Sequence, residues 1–419
     1  MQLFWLIAYC SVLVLQSETG RPIFSPSKAA ADEEEAARKK VEEDAAERAV
    51  AAEDEKRRSR TRSPLELDVQ APRDNSGELI LKRREVHSGR AISVSTVEWS
   101  VAENMATPTS VLEGFMWDKE AEVDRFRERV PLANLVSQCR QTAMDPTMMK
   151  PRDWAGCLKL AISQNQFVIV PECKRVDPAS GSLRKRYDLT KLVKQFTLAG
   201  APSISVNCDG ILFGGSLDDL KKAREAAAAA AVEMSDSEGI VVPPILASDL
   251  ILYPYQLYKL RLAGADAVNL MTGALASKDL LYLTKIASGL QLQTLATVTT
   301  EVQIKDITTL PKGSISGLIV SNRELEDFSF DMSGEQALRL LRSDALQEFR
   351  SKHGDDVPVL VEGRVGIIET SDESGNASAA NYLEALKEAG ASGAVVGGGL
   401  ALDQAEDGKE RLESLMESS

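Results

Sequence analysis

Short apolar runs of strand length recur from residue 167 onward and alternate with segments of helical spacing. In the helical segments, such as LTKLVKQFTL (189–198), apolar residues return every three or four positions, which predicts one buried face. Strands that are apolar throughout and alternate with helices are typical of a parallel sheet covered on both faces. The eight predicted strands are FVIVP (167–171), SISVN (203–207), VVPPIL (241–246), AVNLM (267–271), QTLATV (293–298), SGLIV (316–320), VPVLV (357–361) and GAVVG (393–397).

A repeated turn supports this pattern. The segments LAGAPSISV (198–206), LAGADAVNLM (262–271) and EAGASGAVVG (388–397) each place a glycine where a helix ends and a strand follows at once. Eight such units favour a closed (β/α)8 barrel over an open doubly wound sheet. Because no GxGxxG opens a helix after a strand, dinucleotide binding is not indicated. The sequence therefore predicts an α/β fold, a (β/α)8 TIM barrel over residues 165–419.

The residues before the barrel divide into three predicted parts. Residues 1–20 contain LFWLIAYCSVLVL, which is short for a membrane span but typical of a signal-peptide core, although it has no basic start. The alternative is a buried or anchoring segment. Residues 21–100 are predicted to be a charged, low-complexity or poorly ordered linker, since 31–62 is nearly all alanine and charge. Residues 101–164 are predicted to be a helical extension of the barrel.

Composition excludes several classes of protein. The net charge of −14 argues against a general nucleic-acid binder, because phosphate backbones are held by surplus lysine and arginine. His87 and His353 are the only histidines and lie far apart in sequence, so neither a histidine metal site nor a Ser-His-Asp triad is indicated. The five cysteines form no CxxC, so neither a zinc site nor a disulfide framework is signalled. We expect no cofactor, no metal and no nucleic-acid partner.

The cysteine pattern and the amino-terminal segment together bear on localisation. A chain without a disulfide framework is typical of a reducing compartment. A secretory-type segment ahead of such a chain indicates entry through the endomembrane system into an enclosed reducing space, and a plastid surrounded by extra membranes fits. We therefore expect the plastid stroma, reached through an amino-terminal targeting sequence, with no stable membrane insertion of the mature protein. No protein partner is indicated.

The residues that follow the apolar runs are the candidates for chemistry, because active sites of such barrels lie at the carboxyl ends of the strands. Glu172 and Lys174 are two residues apart and therefore project to the same face of an extended chain. Glycines after the last two runs allow backbone N–H groups to approach a phosphate, although they equally permit tight turns alone. The candidates are Glu172, Lys174, Asn207, Asp209, Ser248, Asp249, Thr297, Thr299, Ser321, Asn322, Arg323, Glu362, Gly363, Gly366, Gly397, Gly398 and Gly399.

Five stretches between residues 107 and 401 resemble one family in their order along the chain. They are TSVLEGFMWDKEAEVDRFRERVPLANL, ECKRVDPASG, SISVNCDGILFGGSLDDL, PILASDLILYPYQLYKLRLAGADAVNLM and SNRELEDFSFDM. In this order they resemble indole-3-glycerol phosphate synthase, especially the plant and plastid type. The family closes an indole ring on 1-(2-carboxyphenylamino)-1-deoxyribulose 5-phosphate, with loss of carbon dioxide and of water. The first stretch resembles the helix that lids the family's barrel.

The resemblance implies roles for particular residues. Glu172, Lys174 and Glu362 are expected to be catalytic, with Lys174 also meeting the anionic end of the substrate. Arg323 is expected to hold the aryl carboxylate, since its planar fork can bind two oxygens at once. The expected ligand is an anionic small molecule that carries a sugar phosphate or an aryl carboxylate. The remaining residues expected to bind it are Asn322, Gly363, Gly397 and Gly398.

The departures from the family pattern fall in the same region. Ser248 stands where the family has its general-acid lysine, and Thr297 where it has a glutamate. Ser321 replaces an asparagine, and Asp177 replaces a serine of the phosphate pocket. Two hypotheses follow: a slow, divergent synthase of the lyase and decarboxylase type, or a non-catalytic barrel with a binding, scaffold or regulatory role. A third, weaker hypothesis is a different reaction on a phosphorylated sugar. Arg364 is a new cation that could partly compensate.

Overall fold

The computed structural model describes residues 71–83, 108–145, 150–164, 167–179, 181–183, 187–233, 242–331, 333–363, 365, 375–400 and 407–417. The predicted targeting segment and most of the predicted linker lie outside these ranges, as do Arg364 and Gly366. Every structural statement below concerns the described residues.

Eight parallel strands close into a barrel, which confirms the predicted fold. Going round the barrel, the order is β1-β8-β7-β6-β5-β4-β3-β2, and β2 pairs with β1 to complete the ring. The strands are β1 Val168–Cys173, β2 Ile204–Asn207, β3 Ile245–Ser248, β4 Ala267–Met271, β5 Gln293–Val298, β6 Gly317–Ser321, β7 Val359–Glu362 and β8 Gly393–Val396.

The third strand differs from its prediction. It runs Ile245–Ser248, whereas the apolar pattern predicted residues 241–246. Pro243 and Pro244 have no N–H to donate to a neighbouring strand, so they cannot extend the ladder. The carbonyl of Pro244 still accepts from Ile204 N at 3.1 Å, just ahead of the paired segment. The later start places Ser248 at the carboxyl end of the strand.

Helices connect and flank the strands. Three precede the barrel: α1 Val111–Arg129, α2 Leu132–Met144 and α3 Trp154–Ser163. The others are α4 Leu189–Leu198, α5 Leu217–Glu233, α6 Pro254–Ala263, α7 Ser277–Gly289, α8 Glu301–Thr308, α9 Glu335–Leu341, α10 Asp344–His353, α11 Gly375–Glu388 and α12 Gly408–Glu417. No helix in the described ranges is both long enough and apolar enough to cross a membrane.

The repeated helix-to-strand turn has the left-handed backbone conformation that its glycines predicted. Gly200, Gly264 and Gly390 have φ angles of 77°, 98° and 87°. A positive φ costs little for glycine because it has no Cβ, so each of these helices can end sharply ahead of the next strand. After Gly264, Ala265 N donates to Leu260 O at 3.0 Å, and β4 starts two residues later.

The amino-terminal end of the barrel is filled by α3. Trp154 is fully buried and packs with interior residues of the strands, among them Leu246, Leu295 and Leu360. Gly317 lies against the indole ring, where an added Cβ would come within 2.8 Å of it. Asp153 caps α3 by accepting from Gly156 N at 2.9 Å. The interior is therefore a packed core at this end.

Residues 71–83, which fall within the predicted linker, contact the loops at the other end of the barrel. Arg73 pairs with Glu324 at 3.1 Å and with Glu326 at 2.9 Å. Glu78 accepts from Gln303 Nε2 at 2.8 Å, and Arg83 pairs with Glu120 of α1. These contacts place a short stretch of the upstream chain on the loops that surround the carboxyl ends of the strands.

Candidate active site at the barrel mouth

A small cavity of about 50 Å³ lies at the carboxyl ends of the strands. Residues expected from the strand ends share its wall, and they come from β1, β2, β3, β5, β6 and β7 or the positions just after them. The predicted side chains that line it are Glu172, Lys174, Asn207, Asp209, Ser248, Asp249, Thr297, Thr299, Ser321, Arg323 and Glu362. The barrel therefore brings these separated positions to one mouth.

The charged side chains of β1 and β6 are already paired with one another. Lys174 Nζ lies 2.8 Å from Glu172 Oε2 and 3.1 Å from Asp177 Oδ2. Arg323 Nη2 lies 2.7 Å from the same Asp177 oxygen, and its Nη1 donates to Phe328 O at 2.6 Å. All four charged side chains are buried. Asp177 is thus the shared counter-ion of the two cations that the resemblance assigned to substrate.

The electrostatics follow from this pairing. Burial works to raise the pKa of Asp177, but Lys174 and Arg323 outweigh it and hold that pKa well below its usual range. Burial works to lower the pKa of Lys174, but Glu172 and Asp177 raise it. Glu362 behaves differently, because burial raises its pKa and Arg323 only partly opposes this. At neutral pH, Lys174 and Asp177 are therefore ionised. Of the two carboxyl groups, Glu362 takes up a proton at the higher pH.

Two of the predicted glycines allow close approach. An added Cβ at Gly397 would lie 2.7 Å from Glu172 Oε2 and 2.8 Å from Lys174 Cε, so the backbone after β8 packs directly on this pair. Gly363 has a φ of 127°, and a Cβ there would overlap the side chain of Asn322. Gly398 begins the short 3-10 helix Gly398–Leu400. The backbone conformation and the contact with Asn322 require glycine at 363 independently of any ligand, whereas a side chain at 397 would displace the ends of Glu172 and Lys174.

Asn322 is a predicted binding residue that does not line the cavity, and the predicted Gly363, Gly397 and Gly398 do not line it either. It is fully buried, and its Nδ2 donates to Asp331 O at 3.0 Å in the loop after β6. The neighbouring Ser321 lines the cavity instead, and its Oγ accepts from Arg323 N at 3.3 Å. Successive side chains of a strand point to opposite faces, which explains the alternation between these two residues.

Hydroxyl groups occupy the positions where the resemblance leads one to expect an acid and a base. Ser248 is half-buried at the end of β3 and lines the cavity. Thr297 is buried on β5, and its Oγ1 donates to Asn269 Oδ1 at 2.9 Å. An alcohol with a pKa far above neutrality neither carries positive charge nor gives up a proton readily. These two positions can therefore hold hydrogen bonds but cannot supply general-acid or general-base catalysis.

A second charged cluster at the mouth was not anticipated. Lys119 of α1 is 1% exposed, and its Nζ lies 2.6 Å from Asp209, 2.8 Å from Asp249 and 2.8 Å from Glu122. We call these four residues the lid cluster. A signal was present in the sequence: Lys119 follows Phe115 by four positions on the apolar face of α1, where an ordinary surface lysine is not expected.

The two aspartates of the lid cluster differ in environment. Asp209 Oδ2 accepts from the backbone N–H groups of Ile211, Leu212 and Phe213 at 3.1, 2.7 and 3.2 Å. For Asp249, burial raises the pKa to about 6, with Lys119 opposing the shift and Asp209 adding to it. Asp249 is therefore the member of the pair that takes up a proton near neutral pH.

Aromatic rings close the mouth beneath α1. Phe115 meets Phe213 edge-on at 6.3 Å between ring centroids and Phe328 at 6.2 Å. All three rings line the cavity, so α1 acts as a lid over it. Although carboxylates are numerous here, no group of His, Cys, Asp and Glu side chains within the described part of the chain is arranged to hold a metal ion.

Comparison with known proteins agrees with this geometry. The family profile described as indole-3-glycerol phosphate synthase matches residues 112–347. The synthase of Microcystis aeruginosa is 30% identical over 314 residues, which cover 75% of this chain and 92% of that protein. That of Rippkaea orientalis is 30% identical over 256 residues, covering 61% and 79%. That of Acaryochloris marina is 29% identical over 307 residues, covering 73% and 88%.

The profile match spans more than half of the chain, and the first of these relatives aligns over most of its own length. The matched region starts in the lid helix α1 and runs through β1 to β6 into α10, so it includes both charged clusters of the mouth. The chain belongs to the indole-3-glycerol phosphate synthase family, whose reaction is a step of tryptophan biosynthesis.

Proposed function

We propose that this chain keeps the family's binding site in an altered form. On this proposal it binds substrate-like anions weakly and forms indole-3-glycerol phosphate far more slowly than members with the strand-3 lysine and the strand-5 glutamate. The observation that carries the proposal is the position of Asp177, whose carboxylate lies within 3.1 Å of Lys174 and 2.7 Å of Arg323. Both cations that would receive the substrate already have a partner.

Weak binding follows from competition. A phosphate or aryl carboxylate must displace Asp177 or share its two cations with it. Around Lys174 and Arg323 lie three carboxyl groups, Glu172, Asp177 and Glu362, so the local charge is negative when all are ionised. An incoming anion is repelled by this surplus unless Glu362 takes up a proton. Charge-assisted bonds to lysine and arginine remain available, which is why we propose weak rather than absent binding.

Slow turnover follows from the two hydroxyl positions. Ring closure needs a group that protonates the substrate's ketone oxygen, and the later loss of water needs a second acid–base group. Ser248 and Thr297 supply neither. Loss of one such group typically costs about 10²–10⁴-fold in rate, which is roughly 3–5 kcal/mol of barrier. Two carboxyl groups of this cavity wall hold a proton more readily than ordinary carboxyl groups do: Glu362, whose pKa burial raises, and Asp249, whose pKa burial raises to about 6.

The test restores both groups. We expect Ser248→Lys combined with Thr297→Glu to raise kcat/KM for indole-3-glycerol phosphate formation by roughly 10²-fold or more over the unmodified chain. Ser277→Lys combined with Thr309→Glu is the matched control, because it adds the same two charges at exposed positions. Turnover at the family's usual level in the unmodified chain would refute the proposal.

The same experiment addresses the non-catalytic hypothesis. If neither the unmodified chain nor the double variant forms product while both still bind anthranilate or inorganic phosphate, the barrel serves binding or scaffolding. The pairing of Asp177 with both cations is the observation that favours this second candidate. Binding of the two anions is measured by calorimetry on the same preparations, so a misfolded variant is recognised by loss of both signals.

We also propose that the chain resides in the plastid stroma. The support is the apolar run at residues 3–15 followed by the charged stretch at 31–62, together with cysteines that form no CxxC. A fluorescent protein fused to residues 1–62 should enter plastids, whereas one fused to residues 107–419 should remain in the cytosol. Retention of the first fusion in the cytosol or in the secretory pathway would overturn this localisation.

A further inference from the structure

A second and larger cavity, of about 420 Å³, lies beside the mouth. We call it the flank cavity. It is bounded by α1, by the loop between β2 and α5, by the first turns of α5 and by helix α6, and Glu122 and Asp249 of the lid cluster line it. Its size is in the range of small-molecule sites, whereas the mouth cavity of about 50 Å³ is much smaller. Nothing in the proposed reaction uses the flank cavity.

One wall of the flank cavity carries a cation without a counter-ion. Lys259 of α6 is half-buried, and its Nζ lies 3.1 Å from the centroid of the Phe126 ring. No carboxylate among the described residues forms an ion pair with it. Burial lowers its pKa, with the more distant Glu122 and Asp249 opposing the shift. A partly desolvated ammonium that faces an open cavity is a ready partner for a ligand carboxylate.

The remaining charges of the flank cavity are mixed. Glu122, Asp218 and Asp249 contribute carboxylates, and Lys221 contributes the second cation. Asp249 and Glu122 are held by Lys119 at 2.8 Å each, and Lys221 lies 3.5 Å from Asp218. The apolar part of the wall comes from Val123, Phe126, Leu217 and Leu260. The cavity thus offers one free cation, surplus negative charge and a hydrophobic surface.

We propose that the flank cavity binds a small zwitterion with an apolar side chain, the amino-acid class of ligand. Its carboxylate would pair with Lys259, its ammonium would face Glu122 and Asp218, and its side chain would cover Phe126 and Leu260. A simple anion would meet three carboxylates against two lysines. A simple cation would leave Lys259 unpaired. A zwitterion satisfies both charges and is neutral overall, so it adds no repulsion.

The flank cavity is connected to the mouth by one side chain. Asp249 lines both cavities and holds Lys119 of the lid helix. A ligand ammonium that faces Glu122 competes with Lys119 for the Glu122 carboxylate, and so changes how Lys119 holds Asp249. Occupancy of the flank cavity therefore changes the affinity of the mouth for anions, and by linkage the mouth changes the affinity of the flank cavity by the same factor.

The test uses three probes of one shape with the full chain. L-phenylalanine carries both charges, 3-phenylpropanoate only the negative charge and 2-phenylethylamine only the positive charge. Ligand-detected NMR or calorimetry should give saturable binding of L-phenylalanine, with both single-charge probes at least about 10-fold weaker. Lys259→Met should lower the affinity for L-phenylalanine by about 10-fold as well. Lys278→Met, at an exposed position on α7, is the matched control and should change nothing.

Several outcomes would overturn the inference. They are no saturable binding of L-phenylalanine, equal binding of all three probes, or unchanged affinity in Lys259→Met. Glu122→Gln serves as a second variant if Lys259→Met fails to fold, since it removes charge from the opposite wall and should weaken the ammonium-bearing probes selectively. These outcomes are independent of turnover at the mouth, so failure here leaves the proposed function untouched.

Discussion

The two ends of the barrel use the same physical device, a buried ion pair, for different purposes. At the amino-terminal end, Asp266 accepts from Arg152 Nε at 2.9 Å, from Arg224 Nη1 at 2.8 Å and from Ile245 N at 2.7 Å. These bonds tie the chain before α3, helix α5 and strand β3 to the start of β4, next to the plug formed by Trp154. Asp266 is fully buried among these partners, so the charges serve the scaffold.

At the carboxyl end the ion pairs surround a cavity. Asp177 joins Lys174 and Arg323, and Lys119 joins Asp209 and Asp249. Lys174, Arg323, Asp209 and Asp249 line the cavity, so each pair has one member that a ligand can reach. A charge pair that faces a cavity can exchange its protein partner for a ligand, whereas one sealed by packing cannot. In this barrel, a buried charge therefore indicates a binding site only where open volume lies beside it.

The largest expected effect concerns the scaffold end. Trp154→Ala should lower the free energy of unfolding by roughly 3–5 kcal/mol, because it leaves a large cavity inside the strands. Urea denaturation measures this. Leu160→Ala on the same helix is the control, since its side chain is 59% exposed and its loss should cost about 0.5 kcal/mol or less. A loss below about 1 kcal/mol for Trp154→Ala would mean that α3 does not plug the barrel.

The next effect concerns the lid cluster. Lys119→Met leaves Asp209 and Asp249 buried without their shared cation, so unfolding free energy should fall by roughly 3 kcal/mol near pH 8. The loss should be smaller near pH 5, where Asp249 takes up a proton. Lys278→Met controls for removal of an exposed lysine. Equal losses at both pH values would show that Asp249 does not titrate in this range.

A smaller effect is expected from Asp177→Ser at the mouth. The substitution frees Lys174 and Arg323 to bind an anion, so the Kd for inorganic phosphate should fall by about 10-fold, which is about 1.4 kcal/mol. Calorimetry at constant ionic strength measures it. Asp355→Ser removes one exposed carboxylate elsewhere and should leave the affinity unchanged. An unchanged or higher Kd in Asp177→Ser would show that phosphate does not bind at Lys174 and Arg323.

The smallest effect concerns pH. Burial raises the pKa of Asp249 from 3.8 to about 6, so the folded chain binds more protons than the unfolded chain between these values. Its contribution to the free energy of unfolding is therefore present below about pH 4 and is lost as pH rises through about 6, and the part lost between about pH 5 and pH 7 is roughly 1 kcal/mol. Urea denaturation at about pH 5 and pH 7 should show a steeper fall for the unmodified chain than for Asp249→Asn. An equal fall in the unmodified chain and in Asp249→Asn would show that Asp249 is not the source of this pH dependence.

Asp177 contributes in the opposite sense and at lower pH. Its pKa in the folded chain is held well below 3.8 by Lys174 and Arg323, so its stabilising contribution is present above about pH 4 and is lost on acidification. The two carboxylates therefore act in separate ranges of pH. This separation allows the Asp249 effect to be read between about pH 5 and pH 7 without interference from Asp177.

Much of the site was predictable because barrel topology converts strand ends into neighbours. The eight apolar runs predicted the fold, and the positions after them predicted that Glu172, Ser248, Arg323 and Glu362 would share one mouth. The start of β3 was missed because Pro243 and Pro244 are apolar but cannot join the ladder. Asn322 was expected to bind ligand, yet its side chain contacts Asp331 O, since alternation along β6 turns Ser321 toward the cavity instead.

The local properties of this chain follow from its amino-acid sequence alone. Periodicity dictated eight strands and their helices, glycine dictated the sharp helix-to-strand turns, and residue type dictated that Ser248 and Thr297 cannot act as acid or base. Which charges meet depends on the folded chain. Arg323 reaches Asp177, and Lys119 reaches Asp209 and Asp249, across long separations in sequence. The position of Lys259 at an open cavity likewise depends on how several elements pack. Electrostatic interactions depend on separation and burial in space, and neither is encoded in the spacing of residues along the chain.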